Sequence, residues 1–131
     1  TLLLSSAASD VYKRQLQDTV TRDELVKFLI EEKALHLSEK RSAIKELCSD
    51  YPNSIPLSSK LSGTEFSRRL RQYALTLQGA SASAYIGDDK AISGGFWQRA
   101  YLNNFSTTIG GGTSQIQANI VGEHVLGLPK D

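Results

Sequence analysis

The sequence predicts an all-α fold, built as an up-down four-helix bundle. Two observations predict it. Apolar residues recur every three or four positions in four separate segments, and no segment shows the strict alternation typical of a half-buried strand. With 131 residues, 40% hydrophobic and 22% charged, the chain has the size and composition of one globular domain.

The first predicted helix runs from about residue 18 to residue 49, and its apolar positions form a stripe on one face. The stripe consists of Val26, Ile30, Leu37, Ile44 and Leu47. Asp18 can cap the start, because Asp is a preferred N-cap residue. Thr21 is the alternative cap, because Thr21 and Glu24 have the spacing of a capping box. We expect the stripe to be the packing face of this helix.

The second predicted helix follows the proline-containing segment "SDYPNSIP". Pro56 suits the first turn of a helix, and apolar residues then recur three to five positions apart from Leu57 to Leu77. The segment from Gly79 to Gly95 is small and polar, and it predicts a loop with a short turn at 80–85.

Two shorter helices complete the predicted bundle. The third spans about Phe96 to Ser106, where aromatic residues repeat every four positions and indicate a core face. They are Trp97, Tyr101 and Phe105. The fourth runs from Ser114 to about Leu126, with Ser114 and Gln117 at capping-box spacing. Its inward residues are expected to be Ile116, Ile120 and Val121.

Charge and cysteine content exclude several kinds of partner. A net charge of +1 argues against a nucleic acid or a membrane surface as the partner. Cys48 is the single cysteine, and His36 and His124 are isolated, so the sequence predicts neither an intrachain disulfide nor a metal site. The apolar runs are too short to span a membrane.

Residues 1–15 do not fit the rest of the pattern. They lack helical and strand periodicity and resemble the translation of a sequencing-adapter read. We expect them to be a non-native, disordered tail and the helical domain to occupy residues 16–131.

A run of three glycines precedes the fourth helix and is the candidate binding feature. Gly110, Gly111 and Gly112 let backbone amides approach a ligand, and a helix amino end favours negative charge. Thr113, Ser114 and Gln115 add two hydroxyls and a carboxamide, but the run has no carboxylate, thiol or imidazole. It can bind a group without moving a proton, or it can simply be a helix cap with a flexible entry.

The run "TIGGGTSQIQANIVGEHVLGLP", residues 108–129, resembles the carboxyl-terminal signature of the acyl-CoA dehydrogenase family. Weaker resemblance extends upstream through "DTVTRDELVKFLIEEKAL", "SSKLSGTEFSRRL", "LQG" and "FWQRAYL", and covers about residues 17–131 in all. It implies the family's carboxyl-terminal bundle without its first helix, hence an incomplete bundle. It also implies FAD as cofactor and oxidation of an acyl-CoA thioester to the trans-2-enoyl form, with electrons passing to an electron-transfer flavoprotein.

The resemblance also assigns roles to individual residues. Thr113 and Gln115 match positions that contact FAD, and Gly112 matches a glycine whose N–H meets the thioester carbonyl. Gly79 resembles the first glycine of an element that touches the flavin of a neighbouring subunit. Gly111 stands in the slot where one branch of the family has its catalytic glutamate, so no catalytic residue is assigned in this chain.

Three interpretations follow from the missing carboxylate. The chain is the carboxyl-terminal domain of an enzyme whose base lies upstream, or it belongs to a non-catalytic structural subunit of a heteromeric enzyme. The third interpretation is an unrelated helical interaction module. The resemblance implies a homo- or hetero-oligomer, most simply a tetramer, in the bacterial cytoplasm, with the mitochondrial matrix as the alternative.

Overall fold

The structure is a computed structural model that describes residues 17–48 and 53–130. Four α-helices account for most of these residues. They are α1, Thr19–Ser42; α2, Ser54–Gln78; α3, Phe96–Ile109; and α4, Ser114–His124. Short 3-10 segments lie at Lys45–Leu47, Gly79–Ser83 and Ile92–Gly95, and the described ranges contain no strand. The all-α fold class is therefore confirmed. Residues 1–15 lie outside the described ranges, and their assignment as a tail stays a prediction.

Helix α1 is shorter at its carboxyl end than the predicted range of 18–49. Asp18 caps its start, because the Thr21 N–H donates to Asp18 Oδ2 at 2.8 Å. At the other end the Ala43 and Ile44 amides donate to carbonyls only three residues back, at 3.3 and 3.0 Å. This tighter pattern ends the α-helix at Ser42, and the segment after the extended Ile44 forms a separate 3-10 turn.

The chain divides into two compact units, which are described separately. The first contains residues up to 29 and 69–103. In it, Phe28 packs on Tyr73 with ring centroids 5.5 Å apart, and Gln98 Nε2 donates to Gln78 Oε1 at 2.9 Å. The second contains residues 30–68 and 104–131, and it carries the glycine turn.

The predicted packing faces are largely exposed. Every residue of the predicted α1 stripe is exposed, and Ile30 retains 64% of its accessible surface. Phe105 and Ile116, both expected in the core, are also exposed, at 45% and 50%. Among the described residues only Cys48 and Ala84 are buried apolar residues. Periodicity located the apolar positions of each helix, but several of these positions are exposed in the described residues.

Candidate functional site

The glycine turn lies between α3 and α4 and has a defined conformation. The Gly110 amide donates to Ser106 O at 2.8 Å, and the Gly112 amide donates to Ile109 O at 3.1 Å. Gly111 and Gly112 have φ angles of +70° and +102°, which L side chains adopt rarely. The glycines are therefore needed for the backbone path at these two positions.

The cap of α4 differs from the one that the sequence predicts. Thr113 has an extended backbone, and its hydroxyl accepts the Ile116 N–H at 3.3 Å, so Thr113 is the N-cap. The prediction that Ser114 caps the helix with Gln117 is wrong. The Ser114 hydroxyl donates to Glu65 Oε1 at 2.5 Å instead. Gln117 donates through Nε2 to the Gly111 carbonyl oxygen at 2.7 Å.

Two charged residues of α2 also contact the turn region. Lys60 Nζ donates to the Gly112 carbonyl oxygen at 2.6 Å. Glu65, which holds Ser114, is also paired with Arg68, 2.9 Å away. Sequence reasoning missed Lys60 and Glu65, because each lies about fifty residues from its partner and neither forms part of a local motif.

The two polar side chains matched to FAD positions remain available to a ligand. Gln115 is exposed in the first turn of α4, and Thr113 is half-buried; within residues 17–48 and 53–130 its hydroxyl accepts from the Ile116 N–H and donates to no other group. Gly79 belongs to the other unit, where it has a φ angle of +54° and open space where a Cβ would stand. These groups are neutral donors and acceptors, which fits hydrogen bonding to the polar edge of a flavin.

The Gly112 amide, by contrast, already has an acceptor. Its N–H donates to Ile109 O, so contact with a thioester carbonyl would require that bond to be exchanged or shared. The Gly111 N–H has no hydrogen-bond acceptor in the described part of the chain. The turn therefore offers one amide ready to donate and one that closes the turn.

Acidic groups near the turn are few and already paired. Glu65 is engaged by Ser114 and Arg68, which leaves it poorly placed to abstract a proton. Glu123 is half-buried in the last turn of α4. Within residues 17–48 and 53–130, no group of three His, Cys, Asp or Glu side chains could hold a metal ion.

In the same ranges none of the helices has the length and apolarity needed to cross a membrane.

Comparison with known families identifies the domain. Residues 5–126 match the family described as "Acyl-CoA dehydrogenase, C-terminal domain". The chain therefore belongs to the acyl-CoA dehydrogenase family and carries its carboxyl-terminal helical domain.

Individual relatives agree with this assignment. The chain is 39% identical over 73 residues to "Acyl-CoA dehydrogenase IpdE1" of Mycolicibacterium smegmatis, which is 56% of this chain and 18% of that protein. It is 54% identical over 35 residues to the protein of the same name from Mycobacterium tuberculosis, which is 27% of this chain and 9% of that one. The chain thus spans less than a fifth of the length of these relatives.

A solved structure shows the same fold. A chain of the ChsE4-ChsE5 complex from Mycobacterium tuberculosis superposes with a TM-score of 0.73 and 21% identity, over 98% of this chain and 32% of that one. At this identity the likeness shows the fold alone.

Proposed function

We propose that this chain is the carboxyl-terminal domain of a FAD-dependent acyl-CoA dehydrogenase, which converts an acyl-CoA thioester to the trans-2-enoyl-CoA. The observation that carries the proposal is the turn at Gly110–Gly112, followed by the Thr113-capped helix α4. Family membership supports the assignment of this turn to the reaction site.

In this proposal Thr113 and Gln115 hydrogen-bond to the flavin, and Gly79 contacts the flavin of a neighbouring subunit. Bound FAD would supply the hydride acceptor for the β carbon of the thioester. The Gly111 N–H, which has no acceptor in the described part of the chain, and the Gly112 N–H, once its bond to Ile109 O is exchanged, orient the thioester carbonyl and stabilise negative charge on its oxygen as the α proton leaves. The neutral donor set described above supports these roles.

The α proton needs a base that the turn does not carry. Gly111 has no side chain, and Glu65 is held by two partners. We place the base upstream of this domain in the complete protein. A general base is typically worth about 10² to 10⁴ in rate, so the 131-residue chain supplied with FAD should not dehydrogenate acyl-CoA.

The second candidate is a non-catalytic structural subunit of a heteromeric acyl-CoA dehydrogenase. It is favoured by the glycine at the family's base slot and by the exposed apolar faces of α1, which would pack against other subunits. The fold neighbour comes from a two-component complex, which supports an oligomer. We include an acyl-CoA, an electron-transfer flavoprotein and further subunits among the proposed partners, and the bacterial cytoplasm as the compartment.

The flavin role of Thr113 is tested in the complete protein. Thr113→Val should weaken FAD binding, whereas Thr113→Ser keeps the hydroxyl and should bind nearly as well as wild type. Thr108→Val is the matched control, because the Thr108 hydroxyl donates to the Phe105 carbonyl oxygen within its own helix, α3. Equal flavin content in all four proteins would remove Thr113 from the proposed site.

The two candidate functions are separated by the acidic residues upstream. In a catalytic subunit, one of them should be essential for turnover. In a structural subunit, the complete protein should be inactive alone and active with its partner, and replacing its own upstream acids should change nothing.

A further inference from the structure

Lys60, in the second turn of α2, contacts the glycine turn. Its ammonium donates to the Gly112 carbonyl oxygen at 2.6 Å, and the two residues are 52 positions apart in the chain. Lys60 is half-buried, so water competes for its ammonium less than at an exposed site. Hydrogen bonds from charged donors are stronger than neutral ones. This contact is therefore a strong constraint on the turn.

A second side chain holds the neighbouring carbonyl. Gln117 Nε2 donates to Gly111 O at 2.7 Å, and Gln117 is only 7% exposed. Two consecutive glycine carbonyls in non-helical conformation thus receive one side-chain donor each. Without these donors both oxygens would lack the partners that a continuing helix supplies.

Fixing the carbonyls also fixes the amides that follow them. The peptide bonds of the turn are trans, so each N–H points opposite to the carbonyl oxygen of the same peptide unit. Gln117 holds the Gly111 carbonyl and therefore orients the Gly112 N–H of the same peptide unit. Lys60 holds the Gly112 carbonyl and therefore orients the Thr113 N–H, which points away from the lysine. Both amides belong to the stretch that leads into the amino end of α4.

We propose that Lys60 is the positioning residue of this turn, acting together with Gln117 to set the directions of its amides. The proposal rests on the function proposed above, in which this turn lies at the thioester and the flavin. Lys60 itself touches neither; it acts through the Gly112 carbonyl.

Lys60 also lies beside Gly111, the position at which one branch of the family has its catalytic glutamate. A Cβ built on Gly111 would lie 3.5 Å from Lys60 Cε, so a side chain placed at 111 would lie against the lysine. A carboxylate introduced by Gly111→Glu would be within reach of the ammonium. Pairing with that cation would lower the pKa of the carboxylate, which makes it a weaker base. Gly111→Glu alone is therefore a poor replacement for the missing base, and the φ angle of +70° at this position adds backbone strain for any residue with a Cβ.

The test uses the 131-residue chain without flavin. Lys60→Met keeps an apolar stem and removes the donor, and Lys33→Met is the matched control at an exposed position of α1. Loss of a charge-assisted hydrogen bond should loosen the turn and raise amide hydrogen exchange at Gly112, whose N–H donates to Ile109 O, roughly 10- to 100-fold over the control. Lys60→Arg retains a charged donor and should restore most of the protection. Equal exchange in the Lys60→Met and Lys33→Met chains would overturn the proposal.

A measurement on the wild-type chain keeps the proposal testable if Lys60→Met does not fold. In a ¹H–¹⁵N spectrum tuned to ammonium groups, the Lys60 Nζ hydrogens should be protected from exchange with water. A Lys60 signal that exchanges as fast as that of Lys33 would overturn the proposal. Protection at Lys60 in a complete protein that binds no flavin would refute the proposed function and leave the positioning role intact.

Discussion

Replacing Gly112 by alanine tests the geometry of the turn directly. Its φ angle of +102° is unfavourable for any residue with a Cβ, and the added atom would lie 3.0 Å from Gln117 Nε2 and 3.2 Å from Ile116 Cγ2. A left-handed backbone costs a non-glycine residue about 1–2 kcal/mol. Displacing the buried Gln117 amide from Gly111 O costs about 1–2 kcal/mol more. We expect Gly112→Ala to lower the free energy of unfolding by about 2–4 kcal/mol.

The assay is urea unfolding followed by far-UV circular dichroism, with Gly63→Ala as the matched control. Gly63 lies inside α2, and a Cβ there would meet nothing within 4 Å. Alanine in a helix interior is more favourable than glycine by about 0.5–1 kcal/mol, so the control should be more stable than wild type. A Gly112→Ala chain within about 0.5 kcal/mol of wild type would refute the reasoning, because that is the usual range for substitutions without a specific structural effect.

Three further predictions concern the caps and the exposed faces. Thr113→Ala should destabilise the chain by about 1 kcal/mol in the same urea assay, and Thr113→Ser should not, because serine caps as well as threonine; equal loss in both would contradict the cap. The hydrogen bond from Thr21 lowers the pKa of Asp18, so its stabilising effect is present above about pH 4 and is lost as the pH falls through the folded-state pKa. Amide exchange in the first turn of α1 should therefore rise on acidification in wild type and much less in Asp18→Asn, and the same rise in both would exclude Asp18 as the cause. The isolated chain should self-associate or bind an apolar dye through exposed residues such as Ile30 and Leu37, and a monomeric, dye-negative chain at high concentration would count against this.

Local features of the fold could be read from the sequence. Asp18, one of the two candidate caps, caps α1, and Pro56 lies in the first turn of α2. Helix α4 begins at Ser114 as predicted, although Thr113 and not Ser114 is its cap. These features depend on contacts between residues a few positions apart. The sequence predicts a carboxyl end of α1 that lies beyond the true end at Ser42, because the apolar spacing continues through Ile44 and Leu47 after the helical hydrogen bonds have stopped.

Burial and the support of the site could not be read in the same way. Periodicity shows which face of a helix is apolar, but not whether a partner covers it, and the α1 stripe is exposed here. The glycine turn was located by its composition. The Lys60 and Glu65 contacts with the turn region leave no local pattern, because they join residues that only folding brings together.

The account depends most on the claim that this domain helps to build a flavin site that oxidises acyl-CoA. The direct measurement is the flavin absorbance of the complete protein, purified with its partner subunit if it has one, during anaerobic titration with an acyl-CoA. The account predicts bound FAD whose absorbance is bleached as trans-2-enoyl-CoA forms, and no such reaction in the 131-residue chain supplied with FAD. A complete protein that contains no flavin, or whose flavin stays oxidised with every acyl-CoA tested both alone and with its partner, would contradict the account.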